Sequence, residues 1–234
     1  MHAALGIERG VLVTPTVYAA DNRNLVDGLA EGGGRFRGVA VVDDQVTEKS
    51  LMDMHAAGVR AIRCNMVRFL GRPHTPELMA RLAPRVAALG WHIRVHIEPD
   101  ELIEIADMLR RLEVGVVLDH RANLDLSTEI GRHAYDCIVG LLGEGTFWIM
   151  LSNGDRTSKE GPPYSDVVPL GRSLVEAAPD RVIWGTDWPH ATYKRPRMVN
   201  DGDLLDLLAE YAPDPAVRKK ILVDNPQSLY GFDG

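Results

Sequence analysis

Polar and ionisable side chains collect at the downstream ends of the short apolar runs in this sequence. Imidazole and carboxylate groups in such positions can transfer protons, and guanidinium groups can bind an anion. If the residues at these ends only packed in the hydrophobic core, they would be apolar instead. The polar residues at these ends are Thr14, Thr16, Tyr18, Arg63, Asn65, His96, Glu98, Asp119, His120, Ser152, Asn153, Asp187 and His190. Their concentration indicates a catalytic or binding site.

Seven apolar runs rich in β-branched residues supply the strands that would carry these side chains. Each run has the length of a strand, and stretches with helical spacing separate one run from the next. The runs cover residues 10–16, 36–42, 59–65, 91–97, 115–120, 146–152 and 181–189. Strands that alternate with helices pair in parallel through right-handed crossovers, so the sequence predicts an α/β protein.

Capping residues predict where several of the helices begin and end. Thr75 precedes Pro76, and proline is favoured in the first turn of a helix. A second start is predicted at Thr128 and a third after Asp214. The last helix is predicted to end at Asn225-Pro226, because proline cannot continue a helix.

The number of strand–helix units favours a closed barrel over a doubly wound sheet. Seven units of about 33 residues each follow one another, and no glycine-rich phosphate-binding motif interrupts them. The predicted fold is therefore a single (β/α)₈ TIM-barrel domain over residues 1–234 with its first β-strand missing. Residues 1–6 have the character of a helix tail, so we expect that strand to lie upstream. In such barrels the active site is built at the carboxyl ends of the strands.

Composition excludes some classes of partner. The formal net charge is −7, from 26 basic and 33 acidic residues, which argues against a nucleic-acid partner. No apolar run approaches the roughly 20 residues that span a bilayer, and the amino-terminal residues lack the features of a signal peptide. Cys64 and Cys137 have neither metal-ligand nor disulfide spacing. These features predict a cytoplasmic protein with reduced thiols and no membrane association.

Several candidates have a structural explanation as well as a functional one. His96 alone could be a hydrogen-bonded core histidine, and Asp187 could cap a turn. Arg63 and Arg156 could form ordinary salt bridges. Tyr164, in the segment GPPYSD, could gate a site or pack its loop. Their shared position at several strand ends of one barrel favours the functional explanation.

Spacing separates the two histidines of one strand. His92 and His96 are four residues apart, which is about 13 Å along a strand, so they cannot bind the same ion. His96 is expected at the active rim and His92 near the opposite end. Arg63 and Asn65 share one face of their strand, while Cys64 points to the other side.

Segments along nearly the whole chain resemble the amidohydrolase superfamily, in the amidohydrolase-related group of the 2-pyrone-4,6-dicarboxylate lactonases. The most specific of them are GPPYSDV and WGTDWPH, and RGVLVTPTVYAADN, GVRAIRCNMV, WHIRVHIEPDEL, VVLDH and NPQSLYGF add to the match. The resemblance implies a barrel hydrolase that acts on lactones and related esters.

The resemblance also implies roles for individual residues. Asp187 matches the general base or metal ligand that ends the last strand, and His120 matches the histidine that polarises the scissile carbonyl. His96 matches a metal ligand of the metal-dependent members. Arg63 and Arg156 match the arginines that hold substrate carboxylates. Further substrate contacts are predicted at Asn65, Thr16, Tyr18 and Tyr164.

The chain departs from the family pattern at three places. The strand that normally carries an HxH pair is absent, one substrate arginine is replaced by Asn123, and a lysine of the family is replaced by Met150. His96 and Asp187 alone fall short of the three protein ligands usual in a catalytic zinc site. The departures argue against the pyrone dicarboxylate as the specific substrate, and they leave one zinc ion or no cofactor as alternatives.

The predicted function is hydrolysis of a lactone or carboxylic ester of a small dicarboxylate by aspartate-activated water. The expected partner is a small anionic substrate, and an exposed sheet edge makes a homo-oligomer an open alternative. Two other functions stay open, namely a metal-dependent decarboxylase of the same superfamily and an inactive, truncated barrel.

Overall fold

Seven parallel strands form one curled sheet in the computed structural model, which describes residues 2–191, 193 and 198–232. The strands are β1 (Gly10–Val13), β2 (Phe36–Ala40), β3 (Val59–Asn65), β4 (His92–His96), β5 (Val116–Leu118), β6 (Phe147–Leu151) and β7 (Val182–Trp184). Their order in the sheet is their order in the sequence, and every neighbouring pair is parallel. The structure confirms the predicted α/β fold, a TIM-barrel-like sheet with one strand missing among the described residues.

Helices connect the strands and cover the outside of the sheet. They are α1 (His2–Leu5), α2 (Arg23–Glu31), α3 (Glu48–Ala57), α4 (Pro76–Ala87), α5 (Pro99–Arg110), α6 (Glu129–Gly143), α7 (Gly154–Thr157), α8 (Val168–Ala177), α9 (Asp201–Tyr211), α10 (Pro215–Lys219) and α11 (Asn225–Tyr230). The three predicted helix starts are confirmed, since the Thr75 and Thr128 hydroxyls and the Asp214 carboxylate accept backbone N–H groups of the first turns of α4, α6 and α10. None of the described helices combines the length and apolarity needed to cross a bilayer.

Several sequence-based boundaries were wrong. The chain does not leave the helix at Asn225-Pro226, because one wide π-type turn over Lys220–Asp224 leads directly into α11. Pro226 lies in the first turn of α11, where a missing N–H is tolerated. The predicted strands also extended too far, to residues 120 and 189, whereas β5 ends at Leu118 and β7 at Trp184. The polar residues beyond those ends lie in turns.

Alternation along each strand divides the core into two parts. On β6, Phe147, Ile149 and Leu151 pack against the helices, whereas Trp148 and Met150 point into the barrel. The larger part is the layer between the sheet and the helices. The smaller part fills the barrel interior. The interior-facing positions of the strands therefore form a column, and its upper end carries the predicted site.

The lower end of the barrel interior is closed by the carboxyl-terminal segment. Tyr230 packs edge-on against His92, with 4.7 Å between the ring centroids. Arg37 donates to the carbonyl of Gly231 at 2.9 Å, and its guanidinium lies 5.0 Å from the centroid of the Phe232 ring. We call these five residues the floor. They bury the bottom of the column, and Tyr230 among them is the last residue of α11.

Candidate active site

The turn after β5 has an unusual backbone. His120, Arg121, Ala122 and Asn123 all have φ near +50°, a left-handed conformation that residues with a β-carbon rarely adopt. Tertiary contacts hold the turn, because Arg121 donates to the Thr157 hydroxyl at 2.6 Å and Asn123 donates to the Ile97 carbonyl at 3.1 Å. The turn thereby directs His120 into the barrel mouth. Strained backbone of this kind is common at functional sites.

Asp119 lies at the centre of the barrel interior with two arginines. Its side chain is completely buried, and one carboxylate oxygen accepts from Arg94 at 2.6 and 2.7 Å. The other oxygen lies 3.0 Å from Nε of Arg63. Burial by itself would raise the pKa of Asp119, but the two guanidinium groups hold that pKa well below its usual range. Asp119 is therefore a permanent anion between two cations.

Arg63 extends from Asp119 to the two histidines of the mouth. Its Nη2 lies 3.3 Å from Nδ1 of His96 and 3.0 Å from Nε2 of His120. Because a guanidinium only donates hydrogen bonds, both ring nitrogens must accept. The proton of neutral His120 is then on Nδ1, which faces the Ser152 hydroxyl at 2.7 Å. The contacts with Arg63 thus select one tautomer for each ring.

Burial keeps both imidazoles neutral. It lowers the pKa of His96 to about 4, and the positive charge of Arg63 acts in the same direction. It also holds the pKa of His120 well below its usual value, against the opposing attraction of Asp119. The two rings meet edge to face, with centroids 4.7 Å apart. Neither ring can serve as a resting cation, so the positive charge at this point belongs to Arg63.

Asp187 faces the same mouth from the loop after β7. Its Oδ1 lies 3.9 Å from Nε2 of His120, and its Oδ2 is 3.1 Å from Nη2 of Arg156. Burial raises the pKa of Asp187, and the attraction of Arg156 and Arg63 offsets this only in part. Asp187 has a φ of +64°, another left-handed residue at the carboxyl end of a strand. The structure therefore brings Asp187 and His120 together.

Arg156 reaches the mouth from α7. Besides its contact with Asp187, it donates to the carbonyl of Ala191 at 2.8 Å, and its guanidinium lies 5.6 Å from the centroid of the Tyr193 ring. With Arg63 and Arg94, three arginines face the two carboxylates of Asp119 and Asp187. While the imidazoles are neutral, this cluster carries one excess positive charge. Such a balance suits an anionic ligand.

The other predicted contacts are distributed around the rim. Asn65 is buried at the end of β3 and donates to the Thr16 hydroxyl at 2.8 Å, which links the loop after β1 to the mouth. Tyr18 is about half exposed in the same loop. Tyr164 is 1% exposed and packs within the layer between sheet and helices. From there Tyr164 supports its loop, and the substrate contact predicted for it stays a prediction.

Two contributors to the mouth were missed in the sequence. Arg94 lies on β4 between His92 and His96, and the alternation of a strand puts all three on the interior face, so the signal was present. Phe69 packs its ring edge to face with His96 at a centroid distance of 5.9 Å, although Phe69 is 68% exposed. Phe69 follows β3 in a short turn, and nothing in its sequence context indicated this contact.

Cys64 and Asn123 have structural roles in this geometry. Cys64 is fully buried on the outer face of β3, as the alternation predicted, and burial raises the pKa of its thiol to about 12. It therefore stays protonated. Asn123 donates to the Ile97 carbonyl and so holds the turn after β5. The charged segment over residues 193–197, whose sequence is typical of a solvated loop, lies, apart from Tyr193, outside the described residues.

The arrangement does not fit a tightly bound zinc ion. Within the described ranges, no group of three or more histidine, cysteine, aspartate or glutamate side chains is arranged to hold a metal. Nη2 of Arg63 lies between the ring nitrogens of His96 and His120 and donates to both. A cation already occupies the space between these nitrogens, so a metal would have to displace it. We therefore derive no step that uses a metal.

Comparisons of the sequence identify relatives over nearly the whole chain. The amidohydrolase family model matches residues 1–232. The chain is 39% identical to a 4-sulfomuconolactone hydrolase of Rhizobium radiobacter, over 97% of this chain and 77% of that protein. It is 37% identical to a 2-pyrone-4,6-dicarboxylate hydrolase of Comamonas testosteroni, with the same coverage of both chains.

Comparison with solved structures gives the same result for the fold. A Pseudomonas putida protein assigned as a 2-pyrone-4,6-dicarboxylic acid hydrolase superposes with a TM-score of 0.86 at 25% identity. The superposition covers 99% of this chain and 85% of that one. The resemblance expected from the sequence motifs is confirmed.

Proposed function

Because the chain belongs to the amidohydrolase family, we propose that it hydrolyses a small lactone that carries acidic groups. Two relatives that cover 97% of the chain are named for lactones of this kind, a sulfomuconolactone and a pyrone dicarboxylate. The observation that carries the proposal is the juxtaposition of Asp187 and His120, at 3.9 Å, beside the guanidinium groups of Arg63 and Arg156.

Asp187 is the general base in this proposal. Its carboxylate is partly buried and its pKa is raised, which makes it a better proton acceptor than an exposed aspartate. A water molecule next to Oδ1 would lose a proton to Asp187 as its oxygen attacks the lactone carbonyl. The ring C–O bond then breaks, and the proton passes to the leaving oxygen. The product is an open-chain hydroxy acid or its keto tautomer.

Arg63 is the better placed group to stabilise the negative charge on the carbonyl oxygen. The sequence motifs suggested His120 for this task, but Nε2 of His120 accepts a hydrogen bond from Arg63 and has no proton to donate. Arg63 is charged, and because its Nε faces Asp119 and its Nη2 donates to the two imidazoles, Nη1 is the nitrogen left to meet the carbonyl oxygen. Preorganised donors of this kind contribute about 2.7–4 kcal/mol to transition-state stabilisation. His120 then acts as the acceptor that orients Arg63.

Arg156 holds an acidic group of the substrate. It lies on the rim next to Asp187, and arginine binds carboxylates through paired, charge-assisted hydrogen bonds. The excess positive charge of the cluster favours entry of an anion. Asn65, Thr16 and Tyr18 line the opposite side and would contact the remainder of the substrate.

The reaction proposed here needs no divalent ion, because Arg63 supplies the positive charge between the two histidines. Turnover by the purified chain should survive prolonged treatment with a strong chelator. A complete loss that added zinc restores would contradict this part of the proposal. It would show that Arg63 moves away and that a metal binds in its place.

The experiment is a screen of lactones that carry carboxylate or sulfonate groups, with ring opening followed by absorbance and acid release. We expect turnover by the wild-type chain and a loss of about 10³-fold in kcat for Asp187→Asn, with KM nearly unchanged. The matched control is Asp53→Asn on an exposed surface of α3, which should be fully active. The acid limb of the pH profile should lie above the range of an ordinary aspartate, since Asp187 works only when deprotonated.

Three outcomes would contradict the proposal. Full activity of Asp187→Asn would remove its general base. Release of carbon dioxide in place of ring opening would identify a decarboxylase. Failure of the wild-type chain to open any of the lactones would leave the chain without this activity.

A further inference from the structure

The side chain of the buried anion Asp119 has no exposed surface, yet its partner Arg63 lies at the mouth. We propose that Asp119 is a positioning residue: with Arg94 as its anchor, it holds the Arg63 guanidinium against His96 and His120. The inference rests on the proposed function, because Arg63 is the group that meets the carbonyl oxygen there. Arg94 becomes, through Asp119, a second positioning residue.

Each of the two carboxylate oxygens of Asp119 contacts a different arginine. One oxygen of Asp119 accepts a hydrogen bond from Nε of Arg94 at 2.7 Å and lies 2.6 Å from its Nη2, which fixes the orientation of the carboxylate. The other oxygen is thereby directed at Nε of Arg63, at 3.0 Å. The Arg63 side chain is only 12% exposed. A planar guanidinium in ion-pair contact at Nε and hydrogen-bonded to two rings at Nη2 has little freedom left to rotate.

Arg94 is built to serve as the anchor. It lies on the interior face of β4, one layer below His96, and it is 4% exposed. Its Nη2 contacts the sulfur of Met150 at 3.0 Å, and the hydroxyl of Tyr230 lies beside the guanidinium from below. No substrate can reach this position from the mouth. The function of Arg94 is therefore exerted on Asp119 and not on the ligand.

The alternative partner of Arg63 explains why positioning is needed. Asp187 also attracts Arg63, and both groups face the same mouth. Without Asp119, the guanidinium can turn towards Asp187 and pair with the proposed base. That pairing would remove the donor from the carbonyl oxygen and occupy the group that must accept the proton. Asp119 keeps the two reacting charges apart.

The test is a double-mutant cycle on kcat with Asp119→Asn, Arg63→Met and the double variant. Misplacement of a reacting group by about 1 Å can cost about 100-fold, so we expect losses of roughly that size in each single variant. Because Asp119 acts through Arg63, the double variant should be no slower than Arg63→Met alone. Asp166→Asn is the matched control; it removes a carboxylate that tethers Ser158 and Lys159, and its effect should multiply with that of Arg63→Met.

Removal of one member of a buried ion pair can prevent folding, so a second variant is needed. The double variant Asp119→Asn/Arg94→Met removes the carboxylate together with its ion-pair partner Arg94. The Arg63 guanidinium then has no group that fixes its orientation. This variant should fold and show the same loss of kcat as Asp119→Asn. In Arg63→Ala, millimolar methylguanidinium should restore part of the activity while Asp119 is present to bind it. It should restore none in Arg63→Ala/Asp119→Asn.

Nitrogen NMR of the imidazole rings gives a measurement that does not depend on turnover. In the wild-type chain we expect the proton of His120 on Nδ1 and that of His96 on Nε2. Asp119→Asn should mix the tautomers of both rings, whereas Asp166→Asn should leave them unchanged. Unchanged tautomers in Asp119→Asn, or losses of kcat that multiply in the double variant, would overturn the positioning role. An inactive wild-type chain with the expected tautomers would overturn only the proposed function.

Discussion

The two ends of the barrel interior are built from the same seven strands but are stabilised by different interactions. At the floor, His92, Arg37, Tyr230 and Phe232 are buried by edge-on ring packing and by hydrogen bonds from Arg37 to backbone carbonyls. At the mouth, the chain leaves the strands in left-handed turns and directs charged groups inward. Aromatic packing closes one end, and electrostatic contacts organise the other.

The difference shows where this fold can tolerate strain. His120 and Asp187 have positive φ values, and each such residue costs on the order of 1–2 kcal/mol. The floor has regular strands and a tightly packed carboxyl-terminal segment. Its packing stabilises the fold and so compensates for the conformational cost of the left-handed residues at the mouth. Substitutions at the floor should change stability alone, and substitutions of exposed residues at the mouth should change activity with little change in stability.

A pair of phenylalanine substitutions gives the largest contrast. Phe232→Ala should lower the free energy of unfolding by about 3 kcal/mol, because a buried ring is lost from the floor. The kcat of the protein that remains folded should not change. Phe69→Ala removes an exposed ring at the mouth and should change stability by less than about 0.5 kcal/mol. Urea unfolding and kinetics on the same samples would measure both; equal destabilisation by the two variants would contradict the comparison.

Arg156→Met should weaken substrate binding by about 10- to 100-fold in KM, since a charge-assisted contact of about 1.5–3 kcal/mol is lost. The matched control is Arg68→Met. Arg68 lies on the same rim, but it already pairs with Glu98 and Asp100 and has little capacity for a ligand. Kinetics with a lactone that carries one acidic group and with one that carries two would show which group Arg156 binds. A rise in KM for Arg68→Met as large as that for Arg156→Met would refute the assignment.

The last prediction concerns pH and the floor. Burial lowers the pKa of His92 from 6.5 in a free histidine to about 3. The unfolded chain therefore takes up a proton at His92 below pH 6.5 that the folded protein resists, and stability falls as pH decreases towards the folded pKa. His92 contributes up to about 1.4 kcal/mol per pH unit in this window. In His92→Phe the decline of the unfolding free energy from pH 6.5 to pH 4 should become shallower; an unaltered slope would show that His92 does not resist protonation.

Much of the fold could be predicted because the local signals agree with one another. Apolar runs such as 59–65 have the length and composition of strands, and Thr75 and Thr128 cap helices in the structure as their side chains predict. The end of the last helix was mispredicted, because a proline in the first turn of a new helix and a proline that ends a helix look the same in the sequence. Which of the two occurs depends on the packing of α11 beneath the barrel.

The site could be predicted in part. The position of polar residues at strand ends was enough to select Arg63, His96, His120 and Asp187, and the structure brings these four together. The sequence did not indicate that Arg63 lies between the histidines, because that contact depends on Asp119 and Arg94 on neighbouring strands. Nor could it indicate the left-handed turn over 120–123, which contains no glycine.

By itself the sequence determined the strand–helix alternation, the interior faces of the strands and the residues at their carboxyl ends, since these follow from periodicity and from short-range capping. Only the tertiary structure decided which protons and charges those residues carry. A pKa, a tautomer and the direction of a guanidinium depend on burial and on partners far apart in the chain, such as Arg63 and His120. Local sequence does not encode those distances.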